Sequence, residues 1–253
     1  MTTTELLERI TSQTIDTLNQ RVSIRDYNDR PLDDDTLLTL LNAARRTATS
    51  SNTQTYSFVV VRNADTKRKL AHLAGDQKHV IDCPVFVAVC ADITRIGQAA
   101  ATQGGELAAN LEVSMISIID AALAGQSLSL AAESIGLGTV MIGGIRNHPQ
   151  EAAEVLGLPD GVFIVYGLCI GWYDEKPAQK PRFAPETIIH HEQYRPASAA
   201  DLTTYDHTLA QHYRDQGRTS PDEAWSGVIG KRFQNFQRSF LRAVLERRGF
   251  RFD

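Results

Sequence analysis

Three short runs, Tyr56-Ser57-Phe58-Val59-Val60-Val61, Val85-Phe86-Val87-Ala88-Val89-Cys90 and Val162 to Ile170, are almost unbroken stretches of β-branched and aromatic residues. Each has the length of a strand, and near-continuous apolarity belongs to a sheet covered on both faces. Between the second and third runs, Glu106 to Ser134 is rich in Ala, Leu, Ile and Ser, with Gly125 as its only glycine. That stretch predicts one long, largely buried helix or two in sequence. The expected architecture is α+β, with helices over a mixed sheet.

Helical spacing recurs before the first run. Leu6, Leu7, Ile10 and Leu18, with Thr4, Glu5 and Glu8 forming an acidic first turn, predict a helix ending near Gln20. Pro31 and Asp33 to Asp35 open a second, with Leu37, Leu38, Leu41 and Ala44 on one apolar face. Pro177 to Pro185 predicts an extended segment. From Asp201 the pattern turns helical and charged, with Phe233, Phe236, Phe240 and Val244 on one face. The expected organisation is a core over 1–200 and a helical extension over 201–253 that packs on the core or on a second subunit. Seven basic residues against Glu246 between Lys231 and Arg251 form either a solvated face with intersubunit pairs or an attractor for an anionic substrate.

Composition removes several function classes. At 253 residues, 42% apolar and net charge −4, the chain lacks the positive excess that nucleic-acid binding needs. Cys83, Cys90 and Cys169 are odd in number and lack Cys-x-x-Cys spacing, which argues against disulfides and thiolate metal sites and predicts reduced thiols with raised pKa. His190-His191-Glu192 lacks the ligand spacing of a metal helix. No basic leader and no membrane span are read, so the expected location is cytoplasmic. Gly136-Leu137-Gly138 misses the third glycine of a dinucleotide fingerprint and runs into a strand-like stretch. Neither a Walker loop nor a Gly-x-Ser-x-Gly elbow is present.

What remains is a set of clusters: Arg21-Val22-Ser23-Ile24-Arg25, Met141-Ile142-Gly143-Gly144-Ile145-Arg146-Asn147 and Lys180-Pro181-Arg182. Cations beside short polar or proline-fixed backbone suit an anion, and a paired glycine lets a flat ligand approach the main chain. Together they describe a pocket for a phosphorylated aromatic cofactor.

With Thr49-Ser50-Ser51-Asn52-Thr53-Gln54, Gly75-Asp76-Gln77-Lys78-His79 and Gly167-Leu168-Cys169-Ile170-Gly171-Trp172 in the same order, the chain resembles the nitroreductase superfamily. It looks most like the oxygen-insensitive NAD(P)H nitroreductase and FMN reductase branch, from about Leu6 to the end. The resemblance implies an intertwined α+β homodimer with FMN at each subunit interface, NADPH or NADH as co-substrate, and nitroaromatics, quinones or flavins as small-molecule electron acceptors in a ping-pong cycle. It assigns no catalytic acid or base, since the flavin carries the hydride.

By the same resemblance Arg21, Val22, Ser23, Lys180 and Arg182 stand at the flavin phosphate, and Arg25 lies near the ring edge where negative charge appears on reduction. Thr49, Ser50 and Ser51 border the ring, Gln77 faces its pyrimidine edge beside His79, Met141, Ile142, Gly143 and Gly144 lie against it, and Asn147 reaches the ribityl chain. For Gln77 and Asn147, turn capping is the alternative. Arg214, Arg218 and Arg238 are the candidates for NAD(P)H. Val22 stands where the branch commonly has a base and Arg21 where it often has histidine. The arginine-poor stretch Arg214 to Asp222, followed by Glu223, leaves recognition of a 2′-phosphate open. Two other functions fit the same residues: a flavin reductase feeding a monooxygenase, and a flavin-binding protein without turnover.

Overall fold

A computed structural model describes residues 10–222, 224–235 and 237–253. Leu6, Leu7, Thr4, Glu5, Glu8, Glu223 and Phe236 lie outside the described residues. The chain divides into two compact units, residues 1–177 with 240–253, and residues 178–239.

The first unit is built on four strands, β1 (Tyr56–Val61), β2 (Val85–Asp92), β3 (Gly138–Ile142) and β4 (Val162–Gly171), in the order β1-β2-β4-β3. Tyr56 faces Ala91, Val85 faces Ile170 and Gly138 faces Gly171, so every strand pair is antiparallel. The mixed character expected from the sequence is confined to one parallel bridge, between Ser23 and Thr139. β2 and β4 are buried along their whole length. The reason is visible in β2, where Val85, Val87, Val89 and Ala91 enter one core cluster and Phe86, Ala88 and Cys90 enter another. With period-two alternation, two apolar faces require a continuous apolar run.

One face is covered by α1 (Gln13–Gln20), α2 (Asp34–Ala44) and α6 (Leu111–Ser134), the other by α3 (Ala64–Leu73), α4 (Lys78–Asp82) and α7 (Pro149–Val155); α5 (Thr94–Thr102) follows β2. Ser12 and Asp33 cap α1 and α2. In α2 the buried set is Leu37, Leu40 and Ala44, whereas Leu38 is 58% exposed and corrects the expected face. Leu38 lies one position after Leu37, about 100° round the helix, and so points away from the core. The Glu106 to Ser134 stretch becomes a single helix starting at Leu111, capped by Asn110. Among the described residues α6 alone is long and apolar enough to cross a membrane, yet Asp120 lies buried at its middle, with Ala121, Ala124 and Leu128 in the core. Cys83, Cys90 and Cys169 are free and buried, and burial pushes the Cys90 thiol up to about 12.

α11 (Leu241–Arg247) belongs to this unit: Val244, Leu245 and Phe250 are buried, and Arg248 donates to the carbonyls of Val162, Leu158 and Pro159.

The second unit holds α8 (Pro185–Ile188), α9 (Ala199–Asp215) and α10 (Ser226–Phe233). Phe183 stacks on Tyr205 at 4.0 Å and meets Trp225 edge-on at 5.0 Å. Asp206 accepts from the Trp225 and Ser226 amides and starts α10. The continuous aromatic face expected from Phe233 to Val244 does not form. α10 ends at Phe233, Arg238 adopts a left-handed φ of 52°, and Phe233 and Phe240 are exposed.

Candidate functional site

β3 gathers one group of the expected residues. Ile24 donates its amide to the Thr139 carbonyl at 3.0 Å, so the Arg21 to Arg25 segment runs beside β3 as a short outer strand. Gly138 is where the two meet, because a Cβ there would collide with the Ile24 side chain. Ile24 is buried as the anchor, and the alternation of an extended chain leaves Ser23 and Arg25 on the other side. Ser23 and Arg25 line a cleft of about 530 Å³ with Tyr27, Asp174 and Lys176.

Arg21 and Val22 line a second cleft, of about 410 Å³, with Glu133 and Gly138. Arg21 Nη2 lies 3.3 Å from Glu133 Oε1, and Thr139 and Ser129 also donate to that oxygen, at 2.6 and 3.3 Å. The Glu133 side chain is only 10% exposed. The cation expected at a phosphate is therefore held first by an internal carboxylate.

At the end of β3, Met141 is partly exposed while Ile142 is buried, so Ile142 can meet a ligand only through its backbone. Gly143 and Gly144 begin a 3₁₀ turn, Gly143–Asn147. The space that a side chain at Gly144 would fill is taken by the Ala74 carbonyl and the Gln77 amide group. At Gly144 the missing side chain thus admits protein on its Cβ side. Gln77 donates to the Ala74 carbonyl at 2.7 Å, which is the capping alternative, and an amide retains further donor and acceptor capacity. A Cβ on Gly75 would lie 3.6 Å from Asn147 Nδ2, so the Gly75 to His79 segment and the Gly143 turn are packed together.

His79, half-buried on α4, has a buried Nε2 without a hydrogen-bond partner. Burial lowers its pKa, and the Arg25 guanidinium lowers it further against the opposing charges of Asp82 and Asp26. A base depressed in the fold takes its proton later than in the unfolded chain, so falling pH stabilises the unfolded state first. The stability of the cofactor-free chain is expected to fall as pH drops below about 6.5, the ordinary histidine value. His79→Asn should flatten that fall, read as urea midpoints against pH; an unchanged slope would contradict it.

The Thr49 to Gln54 turn lies elsewhere. It leads into β1, the edge strand opposite β3, about three strand spacings or roughly 14 Å across the sheet. Ser51, Asn52 and Gln54 have φ of 46°, 60° and 51°. The structure thus groups residues 21–25, 75–79 and 141–147 and leaves the serine turn apart from them.

In the second unit Lys180 lies 5.6 Å over the Tyr213 ring, Tyr205 donates to the Pro181 carbonyl at 3.1 Å, and Arg182 donates to the Lys180 and Pro181 carbonyls. Arg214 is 3.5 Å from Asp222 and donates to Gln211, and Arg218 sits 4.7 Å over Tyr213. Both are engaged within their own unit. Sequence reading passed over Asp120, Glu133 and Arg95, which hold the serine turn and Arg21. For Asp120 a signal existed, a lone carboxylate amid an apolar helical stretch.

Two family descriptions match the chain: Nitroreductase family over residues 18–172, and Nitroreductase family, C-terminal domain, over residues 180–253. The FMN reductase (NADPH) of Bacillus subtilis is 37% identical over 246 residues, 94% of this chain and 98% of that one. The oxygen-insensitive NADPH nitroreductase of Salmonella typhimurium is 36% identical over 239 residues, with the same coverage. The solved structure of the NfrA1 nitroreductase from B. subtilis superposes with a TM-score of 0.89 at 36% identity, covering 94% of this chain and 98% of that one. With these descriptions matching residues 18–172 and 180–253, and relatives 36–37% identical over 94% of its length, the chain belongs to the nitroreductase family.

Proposed function

We propose that the chain is an FMN-dependent oxidoreductase that takes two electrons as hydride from NADPH or NADH and passes them, in a ping-pong cycle, to nitroaromatics, quinones or flavins. The observation that carries the reading is the grouping beside β3 of a cation and hydroxyl segment, a glycine turn and a buried imidazole nitrogen without a partner. Those residues fit FMN. Ser23 and Arg25 offer a donor and a charge along one cleft, the Ile142 to Gly144 backbone suits a flat ring, and the resemblance assigns Lys180 and Arg182, with Arg21, to the phosphate. When bound, the flavin supplies hydride exchange. Arg25 favours negative charge at the ring edge, and the surrounding side chains exclude water and fix the geometry.

The reading includes a cytoplasmic homodimer. Leu111, Met115, Ile119 and Leu123, spaced four apart on α6, form an exposed apolar stripe on the helix that also holds the serine turn. A second copy covering that stripe would bring its turn to the β3 edge of the first, which a single sheet keeps apart. Arg214 and Arg218 remain the candidates for coenzyme contact, with Arg238.

Anaerobic addition of NADPH or NADH to the purified yellow protein is expected to bleach the visible flavin band, and a quinone or nitroaromatic to restore it. A colourless protein that takes up no FMN, or a yellow one that neither coenzyme bleaches, would refute the reading. Arg182→Ala should weaken FMN binding by about 1.5 kcal/mol, the lower end for a hydrogen bond to a charged group, because Arg182 is exposed. Titration of the cofactor-free protein with FMN measures it.

A further inference from the structure

Asp120 lies on the inner side of α6 and is 1% exposed. Its carboxylate accepts the Ser50 amide at 2.9 Å, the Thr55 amide at 3.2 Å, the Thr55 hydroxyl at 2.8 Å and the Thr53 hydroxyl at 3.3 Å. Among the described residues it forms no ion pair. A buried charge without a counter-ion is costly, and an apolar side chain would serve the stability of an apolar helix better. What the carboxylate achieves is local: the donors it accepts from, Ser50, Thr53 and Thr55, all belong to one short stretch.

That turn is conformationally uphill. Ser51, Asn52 and Gln54 are left-handed without being glycine, a state that persists only where the surroundings over-determine it. Asp120 ties the entry and the end of the turn to α6, while Arg95 donates to the Gln54 carbonyl at 2.8 Å. Ser50 and Ser51 are left exposed.

We propose that Asp120 is a positioning residue that holds the Thr49 to Ser51 turn in the shape presented to the flavin ring. It acts through the turn and touches neither cofactor nor substrate. The proposal rests on the function proposed above, in which this turn borders the ring.

Asp120→Asn keeps the volume and replaces one acceptor by a donor that faces amide hydrogens. In the full-length protein it should raise the FMN dissociation constant by about tenfold, the loss of one or two hydrogen bonds' worth of positioning, and shift the bound-flavin spectrum toward that of free FMN. Thr55→Val, which removes one donor and keeps the shape, should move both readouts in the same direction by less, and it serves if Asp120→Asn does not fold. Phe250→Leu, a cavity in the core with no hydrogen bond to the turn, should lower the melting temperature and leave both readouts unchanged.

Wild-type affinity and spectrum in Asp120→Asn, or in Thr55→Val where that variant stands in, would overturn the proposal. So would an equal loss of affinity in Phe250→Leu at a matched loss of stability. Failure of the wild-type chain to take up FMN would instead overturn the proposed function.

Discussion

Arg21→Ala is expected to destabilise the cofactor-free protein by about 3 kcal/mol, since removing one partner of a buried pair leaves the other charge uncompensated. Glu133 is that other charge. Its side chain is 10% exposed, and Thr139 and Ser129 satisfy Oε1 while Oε2 has no hydrogen-bond partner. Arg21 is one-quarter exposed, which puts the effect at the lower end of the range for fully buried pairs. At this chain length about 3 kcal/mol corresponds to a melting temperature lower by roughly 6 to 12 °C. Adding Glu133→Gln to Arg21→Ala removes the stranded charge and should restore most of the loss. If the two losses simply add, Arg21 and Glu133 are not coupled and the pairing contributes nothing.

The same pair bears on the cofactor. If Arg21 also serves a phosphate, it does so from a position already set by Glu133. Substituting Arg21 should therefore change stability and FMN affinity together, whereas Arg182→Ala, on an exposed side chain of the second unit, should change affinity alone.

Gly144→Ala is expected to cost about 3 kcal/mol, the upper end of the ordinary overpacking range. The added methyl would meet the Ala74 carbonyl, which is backbone and cannot rotate aside, and the Gln77 amide group, which must leave its hydrogen bond to that carbonyl. Displacing Gln77 also moves the segment leading to His79, so the variant that survives should bind FMN more weakly. Gly143→Ala is the comparison: the nearest atoms to its Cβ belong to the flexible Arg146 guanidinium, at 3.4 Å, an ordinary contact. Denaturation midpoints separate the two, and equal losses would show that the contact at Gly144 relaxes without cost.

Much of the framework could be read along the chain because it depends on neighbours a few residues apart. Strands alternate two faces, so the uninterrupted apolar runs of β2 and β4 already implied a sheet covered on both sides. Asp33 capping α2 is an equally local signal. The family itself followed from clusters whose order along the chain is specific even though each alone is weak.

The site's internal wiring was a different matter. Arg21 and Glu133 are 112 residues apart, and Ser50 and Asp120 are 70 apart. Nothing local marks Glu133 as the partner of Arg21, because an arginine meets phosphate and carboxylate with the same geometry. Which expected residues share a neighbourhood depended on the strand order β1-β2-β4-β3, which sets Ser23 against one edge of the sheet and the serine turn beside the other. Periodicity reports which face of an element is buried, while pairing order is a property of the assembled chain. For that reason residue types and their order named the chemistry, and folding in three dimensions assigned each charge its partner.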